Sequence, residues 1–428
     1  MFALNEGYQW KSSHFADSLH GVVYLASYNH QERIRRRALG DFAWQLFDPQ
    51  LYLAGLEPDR RTKACARLAT YPWFGVPGLP DFDSGSDSLT RWQANIQATV
   101  IRDWSGAAPT RAGIAPAARS AVQFQADMGC THIILPTPLI DAREDEAQAQ
   151  AEWIDAGVEA SQDLDVGQPI VATVALSEGV LNDAAFDSGG FLDTVVDQVS
   201  ARPEVVGVYL VVAQLQSQHP LRLPDPVSRA YARLTRAFVG CGHDFVFVNF
   251  ADAFGLVCVG LGASGFASGP SQSLRRLSLA GFQDDGGGTP LPHLYSHPVV
   301  GEFLPERDLS VLAARGLLAQ VKDATVHSGD LFNALERTGS AATVAAWVES
   351  RNNVTSASRH FVDRLIAEGT RYSRRTPERR AESAARWLTQ AAQRQAMLDR
   401  ELRGTDVEPT YAPTSVWLNQ YEESMEFG

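Results

Sequence analysis

Eight short apolar segments, separated by stretches with helical periodicity, occupy residues 21–300 of this 428-residue chain. They are almost continuously apolar, as in "VVGVYLVVAQ" at residues 205–214, and do not alternate between apolar and polar positions. Continuous apolar strands are typical of parallel sheets that are covered on both faces. Eight such strands alternating with helices predict an α/β fold, a closed (β/α)8 TIM-like barrel. A doubly wound open sheet is the alternative.

The boundaries of the predicted strands follow from the apolar runs and the turn residues that end them. The eight predicted strands are 21–27, 44–49, 131–140, 168–178, 205–214, 244–252, "GLVCVGLG" at 255–262 and "LPHLYSHPVVGEF" at 291–303. Only "ADAFG" separates the sixth strand from the seventh, which leaves little room for the helix that a barrel needs between them.

The composition changes after residue 305 to helical patterns rich in alanine, arginine and glutamate. We therefore predict a barrel over 1–305, a helical region over 306–404 and an extended tail over 405–428. The apolar stripes of these helices need a surface to pack against, which is either the barrel or another protein. Trp417 and Tyr421 of the tail are predicted to dock on the same chain, with a partner protein as the alternative.

The formal net charge is −13, which disfavours indiscriminate binding to nucleic acid or to an anionic membrane. Two basic runs, 33–37 and 371–380, keep a nucleic-acid-binding role open as an alternative. No apolar run reaches the ~18 residues of a membrane span, and the first residues lack the pattern of a secretion signal. The sequence therefore predicts a cytoplasmic protein without membrane contact.

Polar residues at the ends of the predicted strands define the candidate catalytic site. In a (β/α)8 barrel the carboxyl ends of the strands meet at one mouth, where ligands bind. Asp48 in "LFDPQ" and Asp252 after "FVNFA" are predicted to act as acid, base or nucleophile. His30 and His297 follow strands that would be adjacent in a closed barrel, and we include them. An Asx turn or a helix cap is the alternative role for each aspartate.

A second set of residues is predicted to bind substrate at the same mouth. Near the strand ends these are Asn29, Gln50, Glu178, Gln214, Asn249 and Tyr295. The loop "GLGASGFASG" follows the predicted seventh strand and leads to a helix that contains Arg275 and Arg276. Backbone N–H groups of such loops bind phosphate in many barrels, whereas a tight structural turn is the alternative. Its predicted ligand-binding residues are Gly262, Ser264, Gly265, Ser268 and Gly269.

The histidines and cysteines show no metal-binding pattern. The sequence contains neither H-E-x-x-H nor C-x-x-C spacing, and its four cysteines lie far apart. We therefore predict neither a bound metal nor a cofactor.

The string "DSGGF", Asp187 to Phe191, resembles a local motif of the tRNA-guanine transglycosylases. That resemblance implies a (β/α)8 barrel that exchanges a nucleobase by means of an aspartate nucleophile and a second aspartate. The cysteine-and-histidine zinc cluster of the family has no counterpart in this sequence. A helix cap is the alternative role for Asp187.

Together these features predict an enzyme, a transglycosylase-like transferase or a hydrolase. Its substrate would be a small molecule that carries a phosphate or a nucleobase, such as a nucleotide, bound at the carboxyl-end mouth of the barrel. Two alternatives remain. One is a non-catalytic scaffold or sensor in a protein complex, which binds its partner through the C-terminal helices and tail. The other is a nucleic-acid-binding accessory factor.

Overall fold

A computed structural model describes most of the chain. The described residues are 1–36, 41–56, 61–74, 111–141, 145–182, 190–215, 219, 221–282, 291–350 and 353–426.

Eight parallel strands form a nearly closed barrel. In the order β3-β2-β1-β8-β7-β6-β5-β4, each strand pairs with the next in parallel. The gap between β3 and β4 is bridged by the Thr131 N–H, which donates to the Gln45 carbonyl oxygen at 2.9 Å. The predicted (β/α)8 fold is thereby confirmed, and the open-sheet alternative is wrong. The strands are β1 (Phe2–Glu6), β2 (Gly21–Leu25), β3 (Trp44–Asp48), β4 (Ile133–Leu135), β5 (Ile170–Ser177), β6 (Val205–Gln214), β7 (Phe245–Asn249) and β8 (Gly265–Ser268).

The helices up to β8 lie between these strands in the chain. They are α1 (Gln31–Arg36), α2 (Thr62–Leu68), α3 (Arg111–Asp127), α4 (Asp145–Asp163), α5 (Glu178–Leu181), α6 (Gly190–Ser200), α7 (Asp225–Gly240) and α8 (Gly255–Gly260). The elements after β8 are α9 (Gln272–Arg275), β9 (Leu277–Ser278), β10 (Leu294–Ser296), β11 (Gly301–Phe303), α10 (Ser310–Ala314), α11 (Leu318–Val321), α12 (Gly329–Thr338), α13 (Val354–Ser373), α14 (Pro377–Glu401), β12 (Thr410–Tyr411) and α15 (Thr414–Glu426).

Two of the eight predicted strands are wrong. "GLVCVGLG" forms helix α8, and β8 lies inside the predicted glycine-rich loop. All six residues of α8 are buried, so the run is apolar on every side and has no periodicity that distinguishes a helix from a strand. "LPHLYSHPVVGEF" forms β10 and β11, which pair antiparallel with each other and not with the barrel. The first barrel strand is β1, which the sequence analysis missed.

The C-terminal helices α13–α15 pack directly on the barrel. A Cβ placed on Gly369 of α13 would lie 3.0 Å from the Phe2 Cβ in β1. In α15 the Trp417 ring packs edge-on against Phe254, with ring centroids 5.0 Å apart. The predicted extended conformation of the tail is therefore wrong, because an apolar helical face is buried there. The domain boundary at residue 305 stays a prediction.

Aromatic side chains fill the amino end of the barrel lumen. The Trp44 ring lies across the lumen from β7, with centroids 5.5 Å from Phe245 and 5.6 Å from Phe247. Gly265 of β8 leaves the room for it, since a Cβ there would lie 2.4 Å from the indole ring. The packed amino end leaves the carboxyl-end mouth as the place for a site. No helix in the described part of the chain is long and apolar enough to span a bilayer.

Candidate functional site

Asp48, the last residue of β3, is completely buried and accepts three hydrogen bonds. Its Oδ2 accepts from the Tyr52 hydroxyl at 2.6 Å and from the Tyr209 hydroxyl at 2.9 Å. Its Oδ1 accepts from the Gln50 N–H at 3.0 Å. Burial raises the pKa of Asp48 to about 6, although the hydrogen bonds from Tyr52 and Tyr209 oppose the shift.

The hydrogen bonds continue from Asp48 across the barrel lumen. Asn249 at the end of β7 donates from Nδ2 to the Tyr209 hydroxyl. Asn5 of β1 donates from Nδ2 to the Asn249 Oδ1 at 2.7 Å and to the Leu274 carbonyl oxygen at 3.1 Å. The chain of bonds thereby links β1, β7, β6 and β3. Such a connected buried network fixes the positions of its members, so Asn249 and Asp48 are held rigidly at the mouth.

Asp252, three residues beyond β7, is 2% exposed and lies in a different environment. Its Oδ1 accepts from the Ala253 N–H at 2.6 Å, but its Oδ2 has no hydrogen-bond partner among the described residues. Burial and the Glu302 charge raise the pKa of Asp252 to about 6 against the opposing charge of Arg275. The backbone is left-handed at Asp252 (φ 48°) and at Phe250 (φ 59°). Such strained residues cluster at functional sites.

Arg275, Glu302 and His219 lie within electrostatic range of Asp252. Arg275 of α9 donates from Nη1 to the Glu302 Oε1 at 2.5 Å, and the His219 Nε2 lies 3.0 Å from the Glu302 Oε2. The Arg275 guanidinium also stacks over the Phe361 ring, 3.5 Å from its centroid. Burial acts to raise the pKa of Glu302, but Arg275 and His219 outweigh it and hold the pKa at about 2.

The two carboxyl groups of this cluster therefore differ in the pH range in which they ionise. Glu302 stays ionised at neutral pH and holds Arg275 in place, whereas Asp252 changes its charge near pH 6. Neighbouring carboxyl groups whose environments separate their pKa values are characteristic of acid–base sites. We call Asp252, Arg275, Glu302 and His219 the Asp252 cluster.

Glu302 and His219 are not predicted as site residues from the sequence, and Arg275 is predicted only as part of the helix that follows the glycine-rich segment. A signal was present for Glu302, because a carboxylate inside the apolar run "VVGEF" needs a buried cationic partner. His219 and Arg275 carried no such signal. Both are brought to the cluster by connections that follow β6 and β8.

Several predicted substrate-binding residues are buried at the same end of the barrel but are engaged with its loops. Asn29 Oδ1 accepts from the Trp10 Nε1 at 2.9 Å, and Gln50 Oε1 accepts from the Ser27 N–H at 2.7 Å. Glu178 Oε2 accepts from the Leu215 N–H at 2.9 Å.

Gln214 and Ser268 differ from these residues. Each is buried at the end of its strand, β6 and β8 respectively. The Gln214 Nε2 and the Ser268 Oγ have no hydrogen-bond partner in the described part of the chain. A buried polar atom without a partner needs an explanation, and a bound ligand supplies one.

The glycine-rich segment does not form one loop. Gly262 (φ 113°) turns the chain from α8 into β8. Ser264 Oγ then accepts from the Val246 N–H at 3.2 Å, at the amino end of β7. Gly265 begins β8 at that same end, whereas Ser268 and Gly269 lie at its carboxyl end. The premise that one loop after a strand cradles an anion is therefore wrong, because β8 itself occupies the segment.

Tyr295 and His297 lie outside the barrel strands, in and after β10. His297 stacks on Trp387 of α14 with centroids 4.7 Å apart, and its Nε2 lies 3.5 Å from the Glu368 Oε2. Burial lowers the pKa of His297 well below 6.5. His30 is exposed just before α1. The prediction that these two histidines follow adjacent barrel strands is wrong, because the last predicted strand belongs to the small sheet.

Comparisons with known proteins add no identity. No family model matches the chain, and neither the curated proteins nor the solved structures contain a match. Of the transglycosylase-like string, residues 187–189 lie outside the described residues, and Gly190 and Phe191 begin α6. Among the described residues no three His, Cys, Asp or Glu side chains are grouped to hold a metal ion. The findings therefore support the nearly closed eight-stranded barrel and no particular superfamily.

Proposed function

We propose that this chain is a barrel enzyme, a transferase or a hydrolase, in which Asp252 is the general acid–base at the carboxyl-end mouth. The observation that carries the proposal is the buried Asp252 Oδ2, which has no partner among the described residues although the carboxyl group has a pKa of about 6. A general acid–base works best when its pKa lies near the working pH.

Asp252 fits this role better than Asp48 does. Both oxygens of Asp48 are engaged by Tyr52, Tyr209 and Gln50, so a substrate would have to displace one of these bonds. The Asp252 Oδ2 is open to a new hydrogen bond, and an unpaired buried carboxylate oxygen is costly in the absence of a ligand. Asp48 accordingly acts as a positioning residue, which holds Asn249 and β7 through Tyr209.

Arg275 supplies the positive charge of the proposed site. Its Nη1 is held by Glu302, while its buried Nε has no partner among the described residues. A guanidinium held in this way stabilises negative charge that develops on a substrate, as in phosphoryl or acyl transfer. This charge supports a phosphate-bearing substrate; a nucleobase-bearing one stays the alternative.

The proposal is tested by pairing a substrate screen with an isosteric variant. The purified protein is analysed by native mass spectrometry for a copurifying small molecule, and turnover is assayed on phosphate esters and nucleosides. We expect Asp252→Asn to reduce kcat by about 10²–10⁴-fold. The matched control is Asp244→Asn, an exposed aspartate at the amino end of β7, which should leave turnover unchanged.

The dependence of kcat on pH provides a second readout. Turnover by the wild-type protein should change around pH 6, in keeping with the Asp252 pKa. Equal turnover by wild type and Asp252→Asn would overturn the assignment of Asp252. Wild-type protein that neither copurifies with a small molecule nor turns over any member of the panel would count against an enzyme.

The structure offers the scaffold hypothesis no specific support. The apolar stripes that suggested a partner-binding bundle include Phe361 and Leu365 of α13. Both side chains are completely buried in the hydrophobic core that includes the barrel strands.

A further inference from the structure

A cavity of about 350 Å³ lies between the loop after β1, the loop after β8 and the first turns of α13. Its volume is at the lower end of the range for small-molecule pockets. Leu274 of α9 forms part of its wall, and the next residue along the chain, Arg275, belongs to the Asp252 cluster. α9 thus contributes one residue to the cavity and the next one to the Asp252 cluster.

One wall of the cavity is cationic. Lys11 and Arg359 line it and carry its charge, His14 lies beside them, and no aspartate or glutamate is among the lining residues. The Arg359 Nη2 lies 3.4 Å from the His14 Nε2, within hydrogen-bonding distance, so the two side chains meet at this wall. In a chain with a formal net charge of −13, such a local excess of positive charge indicates a site for an anion.

Two nearby carboxylates, Glu6 and Asp363, offset part of this charge, but among the described residues neither forms an ion pair with Lys11 or Arg359. Glu6 is buried, and its carboxylate accepts from the backbone N–H groups of Lys11 and Ser12 at 2.6–3.1 Å. Asp363 lies one turn beyond Arg359, and its Oδ2 is 3.5 Å from the His327 Nε2. Burial is the largest cause of the lowered pKa of His14, and the charges of Arg359, Lys11 and His327 lower it further. The contribution of these charges indicates a positive local potential.

The beginning of α13 adds donors to the same wall. The Asn353 side chain makes no capping hydrogen bond to the helix and donates instead to the carbonyl oxygens of Ala345 and Val348, each at 2.9 Å. Thr355 and Ser358, which both carry a hydroxyl group, are also among the residues that line the cavity. The N-terminus of this 20-residue helix therefore reinforces the attraction for an anion that the cationic side chains establish.

The remaining wall is apolar and partly aromatic. Phe15, Tyr28, Leu274 and Val354 line it. Tyr8 at the edge of the cavity is 60% exposed, and the Arg33 guanidinium lies 4.8 Å from its ring centroid. A flat organic group gains free energy by covering such a surface, whereas a bare inorganic anion does not.

We infer that this cavity binds a phosphate monoester with a flat, largely apolar organic group. Its phosphate lies against Lys11, His14 and Arg359, and its organic group lies against Phe15 and Leu274. The phosphate is here a binding group held apart from Arg275, which acts on another part of the same substrate. The inference names the substrate class of the proposed enzyme and rests on the proposed function to that extent. Binding itself does not depend on Asp252.

Isothermal titration calorimetry with three probes tests the inference. The probes are phenyl phosphate, glycerol phosphate and inorganic phosphate, each titrated into the full-length protein at low ionic strength. We expect phenyl phosphate to bind at least tenfold more tightly than either of the others. Arg359→Gln and Lys11→Gln should each weaken its binding by about tenfold or more. The matched control is Arg119→Gln, a partly exposed arginine on α3, which should bind phenyl phosphate as the wild type does.

Each outcome decides a separate part of the inference. No binding of phenyl phosphate by the wild type at millimolar concentration would overturn the site. Unchanged affinity in folded Arg359→Gln and Lys11→Gln proteins, checked by circular dichroism, would place any binding elsewhere. Equal affinity for phenyl and glycerol phosphate would refute the flat organic group. Asp252→Asn should keep wild-type affinity for phenyl phosphate. The binding result therefore stands or falls separately from the proposed catalytic role of Asp252.

Discussion

Replacing Asp252 with asparagine should stabilise the folded protein at pH 7, although this residue carries the proposed reaction. The pKa of Asp252 rises from 3.8 to about 6 because the folded protein buries the carboxyl group. A shift of about two units corresponds to ~3 kcal/mol of unfavourable free energy for the ionised form, at ~1.4 kcal/mol per unit. The asparagine Oδ1 can still accept from the Ala253 N–H, but its unpaired amide N–H group costs about 1 kcal/mol. The net gain is about 2 kcal/mol.

The sign of the pH dependence follows from the direction of the pKa shift. Between pH 3.8 and 6 the folded protein binds more protons at Asp252 than the unfolded chain does. This carboxyl group therefore lowers the stability of the wild type as the pH rises through that window. Asp252→Asn lacks the effect, so its advantage should be absent near pH 4 and complete above about pH 7. Asp48 titrates in both proteins and cancels from the comparison.

Asp48→Asn is the matched control, because burial raises the pKa of both aspartates to about 6. In Asp48→Asn the amide oxygen can replace Oδ2 and accept from the Tyr52 and Tyr209 hydroxyls. The amide nitrogen then replaces Oδ1 and faces the Gln50 N–H, so two donors lie against each other. We expect Asp48→Asn to be less stable than Asp252→Asn by about 1–3 kcal/mol at pH 7.

Urea denaturation followed by tryptophan fluorescence at pH 4, 5, 6 and 7 measures these differences. If Asp252→Asn were no more stable than the wild type at pH 7, burial of the Asp252 carboxylate would not be the cost that its raised pKa implies. A gain that stayed constant from pH 4 to pH 7 would also refute the prediction, because the gain would then not come from titration of Asp252.

Further substitutions probe the barrel core and the Asp252 cluster. Gly265→Ala places a Cβ 2.4 Å from the Trp44 ring and 2.6 Å from the Met1 carbonyl oxygen, and should cost about 1–3 kcal/mol of unfolding free energy. The control is Gly55→Ala, whose new Cβ meets nothing within 4 Å and should change the free energy of unfolding by less than ~0.5 kcal/mol. Equal urea midpoints for Gly265→Ala and Gly55→Ala would contradict the close packing of Gly265 against Trp44. The pKa of Glu302 is lowered to about 2, so the wild type should lose stability as the pH falls from 4.5 towards 2. Glu302→Gln should be less stable than the wild type at pH 7, and its stability should change less between pH 4.5 and pH 2. Identical acid limbs in urea titrations would show that Glu302 is not the group responsible.

The barrel could be predicted from the sequence because its strands are continuous apolar runs, but the strand count was reached through compensating errors. β1 was missed because "FALNE" has only five residues and ends in Asn5 and Glu6. Both polar residues are buried, and the Asn5 Nδ2 and the Glu6 carboxylate find hydrogen-bond partners that no alternation along the strand reveals. α8 was predicted as a strand because it is buried on all sides. Burial on every side removes the periodicity that separates a helix from a strand.

The candidate site could be predicted only in part, because a strand end indicates position and not environment. Asp48 and Asp252 were both identified from their places next to barrel strands. What distinguishes them is the set of hydrogen-bond partners, and Tyr209 lies 161 residues from Asp48 along the chain. The partners of Arg275 also come from outside the barrel strands, Glu302 from β11 and Phe361 from α13. Sequence spacing carries no information about such contacts.

The C-terminal helices both cover the barrel strands and supply residues to the proposed site, because they pack where the barrel helix α8 is short. α8 has only six residues, and a Cβ on its Gly260 would lie 2.4 Å from the Ala384 Cβ, so α14 lies where a longer barrel helix would otherwise cover the strands. The same C-terminal segment supplies Arg359 to the cationic cavity and Phe361 to the Arg275 guanidinium. Deleting residues 306–428 would therefore remove part of the proposed ligand site together with the cover of the barrel. Loss of ligand binding in that deletion cannot be attributed to a lost partner protein, which is why single substitutions such as Arg359→Gln are the informative test.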